Sequence, residues 1–465
     1  MTPGTTLRYG PTYAEMLHPQ RLDAETRTRA IRARQELLDP YNLYNITWRD
    51  PEGRCYYDVL PPELTGVEAH IVVLYGCEMP TGSHKVGPAY AVLMESILEG
   101  RLVLGRHTCV WPSTGNYGIG GAWVGGRMGF ENVVIMPEGM STERFEMIRR
   151  YGARIVTTPG SESDVHLVYR RCEELLGQAP DTIYMLDQFA AMGNYRFHYY
   201  VTGNMVVELA AELAARGIGR GRVAAFVTAM GSGGTKSAGV SIKHILPESR
   251  TVGLEPIQCP TLFCNGYGQH AIQGIGDRQV TWIHNVLNMD ALMCIDDAEC
   301  LQGLRLLTDE GARPVLARRF GIPEQRLAHM APRLGISSLC NILGAIKTAK
   351  FYGLGGDDVI VTVCTDGLDR YHSVLQEMAA CEGPLDEAEV ATRLVSIFYR
   401  QKLDWIQEGT RERRRAWHQL KYFVWVEQRG KTVKELDALQ SQDYWQAQQA
   451  LVSEIDARLA AARQV

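Results

Sequence analysis

Short apolar runs alternate with amphipathic segments through the middle of the chain. The runs have the length of strands, and the segments between them have the periodicity of helices. This alternation predicts an α/β fold with a mostly parallel sheet. The predicted strands are residues 71–74, 108–110, 133–136, 154–156, 183–186, 223–228, 251–254 and 359–363.

The two ends of the chain have a different pattern. The first part contains one helix-like stretch, residues 22–38, with few apolar positions, and the part from residue 384 onward has helical periodicity. We therefore expect helical N- and C-terminal extensions. The large apolar side chains of the tail must pack against either the main body or a second subunit. They include Trp405, Trp417, Phe423 and Trp425.

Composition argues against several functional classes. The chain has 465 residues, 22% of them charged, and a net charge of -5, so it lacks the basic surface that nucleic acids select. No signal-like start and no apolar run of about eighteen residues is found, so we expect a cytoplasmic protein without a membrane span. The eleven cysteines form no Cys-x-x-Cys pair and the histidines have no ligand spacing, so no metal site is predicted.

Residues 81–85 read Thr-Gly-Ser-His-Lys and place Lys85 at a turn between a predicted strand and a helix-like pattern at 89–98. The dipole of that helix and desolvation both disfavour an ammonium there, so we expect the pKa of Lys85 to fall below its ordinary value. An amine with a lowered pKa can act as a nucleophile or a base. Taken alone, however, a lysine at such a turn is usually a solvated helix cap.

Two later loops have the composition of anion-binding turns. In the loop 111–118, Ser113 and Thr114 can donate to a carboxylate, and Asn116 can hold a phenolic oxygen. In the loop 230–236, glycines allow successive N–H groups to turn inward around a phosphate, although the spacing is not that of a P-loop. Each loop alone would also be explained as an ordinary helix cap. Together with Lys85 they predict a ligand with a phosphate and an aldehyde beside an amino acid, which is pyridoxal 5'-phosphate.

The order of these motifs resembles the pyridoxal-phosphate enzymes of the tryptophan synthase β-like family (fold type II). Within that family the chain is most similar to the cysteine synthase and cystathionine β-synthase group. The resemblance extends over residues 65–375 and includes Asp187-Gln-Phe189, Gly335-Ile-Ser-Ser338 and Asp369-Arg-Tyr371.

The resemblance implies two three-layer αβα domains with mostly parallel sheets. The larger cofactor domain would comprise residues 65–78 and 193–383, and the smaller, mobile substrate domain would comprise 79–192. Residues 1–64 and 384–465 would be the extensions. Residues 312–333 are an insertion beyond what the nearest relatives need.

The resemblance also implies roles for single residues. Lys85 would form the covalent aldimine link with the cofactor and later move the Cα proton. The substrate would be held by Ser113, Thr114, Gly115, Asn116, Tyr117 and Gln188, with Asn116 also on the cofactor's O3′. The cofactor phosphate would be held by Gly231, Ser232, Gly233, Gly234 and Thr235.

The partner of the pyridine nitrogen is a position where this chain departs from the family. A serine or threonine is usual there, whereas alignment from Arg370 places Gly367 at that position. Thr365 or Cys364 could substitute, and Thr365 is preferred. A neutral partner favours chemistry at the β-carbon over transamination or decarboxylation.

The activity that follows from the resemblance is β-replacement on a β-substituted L-alanine of the O-acetylserine, serine or cysteine type, through an aminoacrylate. The alternatives are β-elimination, like a cysteine desulfhydrase or serine dehydratase, and γ-chemistry like that of threonine synthase. A different class is a partner-dependent or inactive subunit. We also expect a homodimer, with the terminal helices as one means of forming it.

Overall fold

The computed structural model describes residues 7–113, 115–161 and 164–464, and its strands confirm the α/β fold. Each predicted strand overlaps an observed one. The strands are β1 Tyr57–Val59, β2 His70–Tyr75, β3 Thr108–Pro112, β4 Asn132–Pro137, β5 Arg154–Thr158, β6 Ile183–Met185, β7 Ala225–Ala229, β8 Arg250–Pro256, β9 Ala291–Ile295, β10 Val359–Cys364 and β11 Ile406–Glu408.

Three observed strands were not predicted. The strands β1 and β11 are three residues long, which is too short for a periodic signal, and they are the edge strands that the two extensions contribute. The strand β9 reads Ala-Leu-Met-Cys-Ile, and these residues fit a buried helix as well as a strand.

The strands form two sheets in the described residues. The larger has the order β1-β2-β10-β7-β8-β9-β11, and the smaller has the order β5-β4-β3-β6. The larger sheet is parallel except at its two edges, where β1 and β11 pair antiparallel with β2 and β9. The smaller sheet is parallel throughout. All strands of the smaller sheet lie within the range 79–192 that we propose as the smaller domain.

Helices connect the strands and cover the sheets. The α-helices are α1 Tyr13–Leu17, α2 Ala24–Ala33, α3 Pro62–Thr65, α4 Val86–Leu98, α5 Asn116–Met128, α6 Thr142–Arg150, α7 Val165–Gln178, α8 Met192–Arg196, α9 Gly203–Ala214, α10 Ser237–Ile245, α11 Thr261–Cys264, α12 Asp297–Thr308, α13 Ala312–Phe320, α14 Glu324–Met330, α15 Ile336–Tyr352, α16 His372–Glu382, α17 Glu387–Arg393, α18 Arg411–Gln419, α19 Val433–Ala438 and α20 Gln442–Ala462. The segments Phe197–Thr202, Leu394–Tyr399 and Phe423–Gln428 are π-helical.

Both faces of each sheet are covered, because alternate residues of a strand point to opposite sides. In β4, Val134 belongs to the core that contains the apolar residues of α5, whereas Val133 and Ile135 belong to the core on the α7 side. In β2, Val72 and Val73 are likewise divided between two cores. Each sheet is therefore the middle layer of an αβα arrangement.

The extensions pack on this body. At the N-terminal end, Trp48 is buried, and the backbone N–H groups of Tyr13 and Ala14 donate to Asp456 on α20 at 2.7 and 3.0 Å. In the tail, Trp417 and Trp425 are buried in clusters with residues of the main body. These two side chains therefore pack against the main body.

Among the described residues, no helix combines the length and apolar character needed to cross a membrane. The same residues contain no group of three or more His, Cys, Asp and Glu side chains with the geometry of a metal site.

Candidate active site

Lys85 lies where the chain turns from β2 into α4. After β2, two 3₁₀ turns lead to Ser83, and Lys85 is the N-cap of α4, with Pro88 in the first turn where a missing N–H costs no hydrogen bond. The backbone N–H of Lys85 donates to Ser83 Oγ at 3.3 Å. Lys85 is half-buried.

The residues before Lys85 connect its turn to two other loops. Ser83 Oγ and the His84 backbone N–H both donate to the carbonyl of Thr365, at 3.0 and 3.2 Å, so the turn is bound to the loop after β10. On the other side, His84 Nε2 lies 3.4 Å from Thr235 Oγ1. The structure therefore brings Lys85, Thr365 and Thr235 together from three distant parts of the sequence.

The His84 imidazole is buried and uncharged. Its ring stacks on Trp48, with 5.8 Å between ring centroids, and meets His198 edge to face at 5.2 Å. Burial, followed by the charge of Lys85, holds the pKa of His84 well below its ordinary value. His84 Nδ1 is buried and has no hydrogen-bond partner among the described residues.

Residues 231–235, which we call the glycine turn, join β7 to α10 and form a cradle that has no room for side chains at Gly233 and Gly234. Gly233 has φ +76°, and a Cβ there would lie 2.9 Å from His284 Cβ. A Cβ on Gly234 would lie 2.0 Å from Asn194 Oδ1. The turn leads directly into α10, and the partial positive charge at the N-terminus of a helix attracts an anion.

Side chains from neighbouring segments fix the glycine turn. The Asn194 amide donates to Ser232 Oγ at 3.0 Å, and Thr281 Oγ1 donates to the Ser232 carbonyl at 2.6 Å. The same Asn194 amide donates to the carbonyl of Gln188 at 2.9 Å. Gln188 is buried, and Asn194 joins its segment to the glycine turn.

The loop before α5 is closed by Ser113. Its hydroxyl oxygen accepts from the backbone N–H groups of Gly115 and Gly118, at 3.0 and 2.8 Å, and so caps the start of the helix. The Tyr117 hydroxyl donates to the Leu186 carbonyl at 3.2 Å. Thr114, which the sequence placed among the substrate-binding residues, lies outside the described residues.

Asn116 belongs to a buried polar network that spans the two sheets. Its amide nitrogen donates to Asp366 Oδ2 at 2.5 Å, and its oxygen accepts from Arg370 Nε at 2.8 Å. The Tyr371 hydroxyl donates to Asp366 at 2.8 Å and accepts from Arg144 at 3.0 Å. Arg144 also forms an ion pair with Asp366 at 3.9 Å. All five side chains are buried.

The two candidates for the pyridine nitrogen differ in environment. Cys364 ends β10, and burial raises the pKa of its thiol to about 12, so it is a neutral group. Thr365 follows it, is buried, and has its carbonyl bonded to the Lys85 turn as described above. Gly367 follows Asp366 and has no side chain to offer.

The sequence did not single out Arg144 or Asp366. Arg144 lies in α6, whose neighbouring charged residues resemble a solvated face, yet it is buried. Asp366 lies between Thr365 and Gly367, in the segment that contains the candidates for the nitrogen partner. Its acidic side chain beside an apolar strand is the signal of a functional role that the sequence offers. His84 precedes Lys85 in the sequence, but its contact with Thr235 could be found only from the folded structure.

These residues fit pyridoxal phosphate. The glycine turn leaves no space for side chains at Gly233 and Gly234 and leads into a helix N-terminus, and the primary amine of Lys85 belongs to the adjacent turn. Two buried polar atoms, His84 Nδ1 and Asp366 Oδ1, have no hydrogen-bond partner among the described residues. A polar ligand bound here would supply partners for both atoms.

Comparison with known proteins gives the same cofactor. A family model described as pyridoxal-phosphate dependent enzyme matches residues 62–315, more than half of the chain. The cysteine synthase of Staphylococcus aureus strain N315 is 31% identical over 306 residues, which are 66% of this chain and 88% of that protein.

Solved structures share the fold. A hydrogen sulfide-producing enzyme from Fusobacterium nucleatum is 27% identical with a TM-score of 0.56, over 72% of this chain and 90% of that one. An O-acetylserine dependent cystathionine β-synthase from Helicobacter pylori is 26% identical with a TM-score of 0.57, over 69% of this chain and 95% of that one. The chain belongs to the pyridoxal-phosphate-dependent enzymes of the tryptophan synthase β-like family, fold type II.

Proposed function

We propose that this enzyme catalyses β-replacement on a β-substituted L-alanine of the O-acetylserine, serine or cysteine type. The observation that carries the proposal is the junction at Lys85, whose turn is bound to Thr365 and, through His84, to Thr235 of the glycine turn. A lysine beside a phosphate cradle and a buried amide is the arrangement that such chemistry requires. The similarity to a cysteine synthase supports the choice of substrate class.

Each group has a separate task in the proposed reaction. The N–H groups and hydroxyls of the glycine turn would hold the cofactor phosphate. Asn116 and Gln188, together with Ser113 and the loop that follows it, would hold the substrate carboxylate and the O3′ of the cofactor. Lys85 would anchor the cofactor when no substrate is bound.

When bound, the cofactor withdraws electrons from the substrate Cα and so makes its proton acidic. The Lys85 amine would take that proton, and the β-substituent would leave with its electron pair. A thiol, sulfide or amine would then add to Cβ, and Lys85 would return the proton to Cα. The buried Asp366 network fixes Asn116, so the carboxylate contact would be preorganised.

A second candidate is β-elimination, and the structural similarity to a hydrogen sulfide-producing enzyme favours it. The first half of the reaction is the same. If water rather than a thiol reaches the product of that half-reaction, pyruvate and ammonia are released instead of a new amino acid. Exclusion of water from the cleft would therefore decide between the two outcomes.

The experiment offers β-substituted alanines to the purified holoenzyme. We expect O-acetylserine with sulfide to yield cysteine, at a rate above that of pyruvate release. If the enzyme instead converts cysteine, offered alone, mainly to sulfide, pyruvate and ammonia, β-elimination is the activity. Conversion of a γ-phosphorylated homoserine to threonine, without turnover of any β-substituted alanine, would refute the proposal.

The domain boundaries, the homodimer and the choice of Thr365 over Cys364 belong to the same proposal. The two sheets support the division at residues 79 and 192. For the homodimer, the exposed side of the terminal helices is the candidate contact surface.

A further inference from the structure

The C-terminal extension inserts a lysine into the interior of the protein. Lys421 lies between α18 and the π-helical segment Phe423–Gln428 and has no exposed surface. Its amine nitrogen donates to the carbonyls of Trp282 and His284, at 3.0 and 2.7 Å. Lys421 lies beyond the residues matched by the family model.

The carbonyls that Lys421 binds belong to a segment that packs on the glycine turn. We call residues 280–285 the 280–285 segment. Within it, Thr281 donates to the Ser232 carbonyl at 2.6 Å, and His284 Cβ would lie 2.9 Å from a Cβ on Gly233. A displacement of this segment would therefore be transmitted to the cradle by contact.

Two other side chains bind the same segment. Lys236, the N-cap of α10 directly after the glycine turn, is buried and donates to the Asn285 carbonyl. Trp425 of the extension donates from its indole nitrogen to the Val280 carbonyl at 2.8 Å. Four carbonyls of the segment are thus held, three of them by the C-terminal extension.

The buried amines also affect the electrostatics behind the cradle. Burial lowers the pKa of Lys421 to about 7, and burial and then Lys421 hold the pKa of Lys236 well below its ordinary value. Lys243, Arg414 and Asp290 are the other charged groups that act on Lys236. A bound phosphate would favour the protonated form of both amines.

We propose that Lys421 is a positioning residue for the cofactor phosphate: it holds the 280–285 segment against the glycine turn, so that cofactor retention depends on the docked C-terminal extension. The inference rests on the assignment of the glycine turn to the phosphate in the proposed function. It gives the extension a part in the active site, although no residue of the extension needs to touch the cofactor.

The test uses the full-length holoenzyme and three variants. Lys421→Met removes the amine that donates both hydrogen bonds. Lys421→Arg keeps a buried cation that can donate. Lys434→Met is the control, because Lys434 is an exposed lysine of the same extension. The readouts are the cofactor dissociation constant from equilibrium dialysis and the ³¹P resonance of the bound phosphate. Thermal unfolding of each apoprotein reports general stability.

We expect Lys421→Met to raise the dissociation constant about tenfold or more and to shift the ³¹P resonance, because the cradle loses its support. Lys421→Arg should recover part of the affinity, and Lys434→Met should match the wild type. A Lys421→Met protein with wild-type affinity and ³¹P resonance would overturn the inference. So would an equal loss of affinity in Lys434→Met.

If Lys421→Met does not fold, Thr281→Val is tested instead. This substitution removes the hydroxyl that joins the 280–285 segment to the glycine turn. Weakened cofactor binding would support the inference, and unchanged binding would overturn it. A different result would show that the glycine turn does not bind the phosphate: the ³¹P resonance of the wild-type holoenzyme would be that of a mobile, solvated phosphate.

Discussion

The amide nitrogen of Asn116 lies 2.5 Å from the carboxylate of Asp366, although 250 positions separate the two residues in the sequence. Asn116 begins the helix that follows β3 of the smaller sheet, and Asp366 follows β10 of the larger sheet. The hydrogen bond therefore spans the cleft between the two sheets. It fixes an amide that we assign to substrate binding, beside the turn that carries Lys85.

This relationship makes Asn116→Ala informative. The substitution removes the donor to Asp366 and the acceptor of Arg370, but leaves the glycine turn intact. We expect cofactor affinity to change little, whereas kcat/KM for β-replacement should fall about tenfold to a hundredfold, as for the loss of a preorganised donor. Equilibrium dialysis of the cofactor measures the first effect, and steady-state kinetics with stopped-flow spectroscopy of substrate binding measure the second.

A matched control is Asn204→Ala. Asn204 lies in α9, away from the cleft, and its amide donates to the Tyr200 carbonyl. Its kinetics should equal those of the wild type. Substrate kinetics unchanged in Asn116→Ala would contradict the placement of this residue at the substrate.

Gly233→Ala should weaken cofactor retention. The new Cβ would lie 2.9 Å from His284 Cβ in the cradle, and the backbone has a φ of +76°. Gly217→Ala has a similar backbone cost, because Gly217 has φ +78°, but a Cβ there meets open space. The backbone conformation alone should cost each variant about 1 kcal/mol of stability, and Gly233→Ala should lose more because of the contact with His284.

The two glycine variants should differ in how much cofactor they retain. Dialysis followed by measurement of the retained pyridoxal phosphate should show a large loss for Gly233→Ala and none for Gly217→Ala. Full retention in Gly233→Ala would mean that the phosphate binds elsewhere.

Lys421 should also make the stability of the apoprotein depend on pH. The pKa of Lys421 is about 7 in the folded protein, against about 10.4 in an unfolded chain. Between these values the unfolded chain binds one more proton, so the free energy of unfolding rises with pH by about 1.4 kcal/mol per unit on account of this group. Lys421→Met should reduce the slope by about that amount.

Urea unfolding of both apoproteins between about pH 7.5 and 9 measures the slope. Lys421 also lowers the pKa of Lys236, His284 and His418, so the difference in slope contains the response of these three groups to its removal as well as the titration of Lys421 itself. Equal slopes would show that Lys421 does not become deprotonated on folding.

The parts of the site that could be predicted from the sequence are the ones built by local turns. Lys85, the glycine turn and Asn116 each follow a strand and precede a helix, and turn composition reports that geometry over a few residues. The alternation of strands and helices likewise predicted the α/β fold. The two edge strands from the extensions were missed because they are short.

The rest of the site depends on contacts between distant segments. Arg144 meets Tyr371 across 227 positions, and Lys421 meets His284 across 137. A single lysine or arginine in a charged helix gives no local signal of burial, because burial is decided by what packs on it. The position of the glycine turn could therefore be predicted from the sequence, whereas its contacts with the 280–285 segment could not.

The most direct measurement of the central claim is to find which lysine holds the cofactor. Borohydride reduction of the holoenzyme fixes the link, and mass spectrometry of its peptides identifies the modified residue. We predict modification at Lys85, together with loss of the visible absorption band in Lys85→Ala. Modification at Lys236 instead, or an unchanged absorption band in Lys85→Ala, would contradict the account.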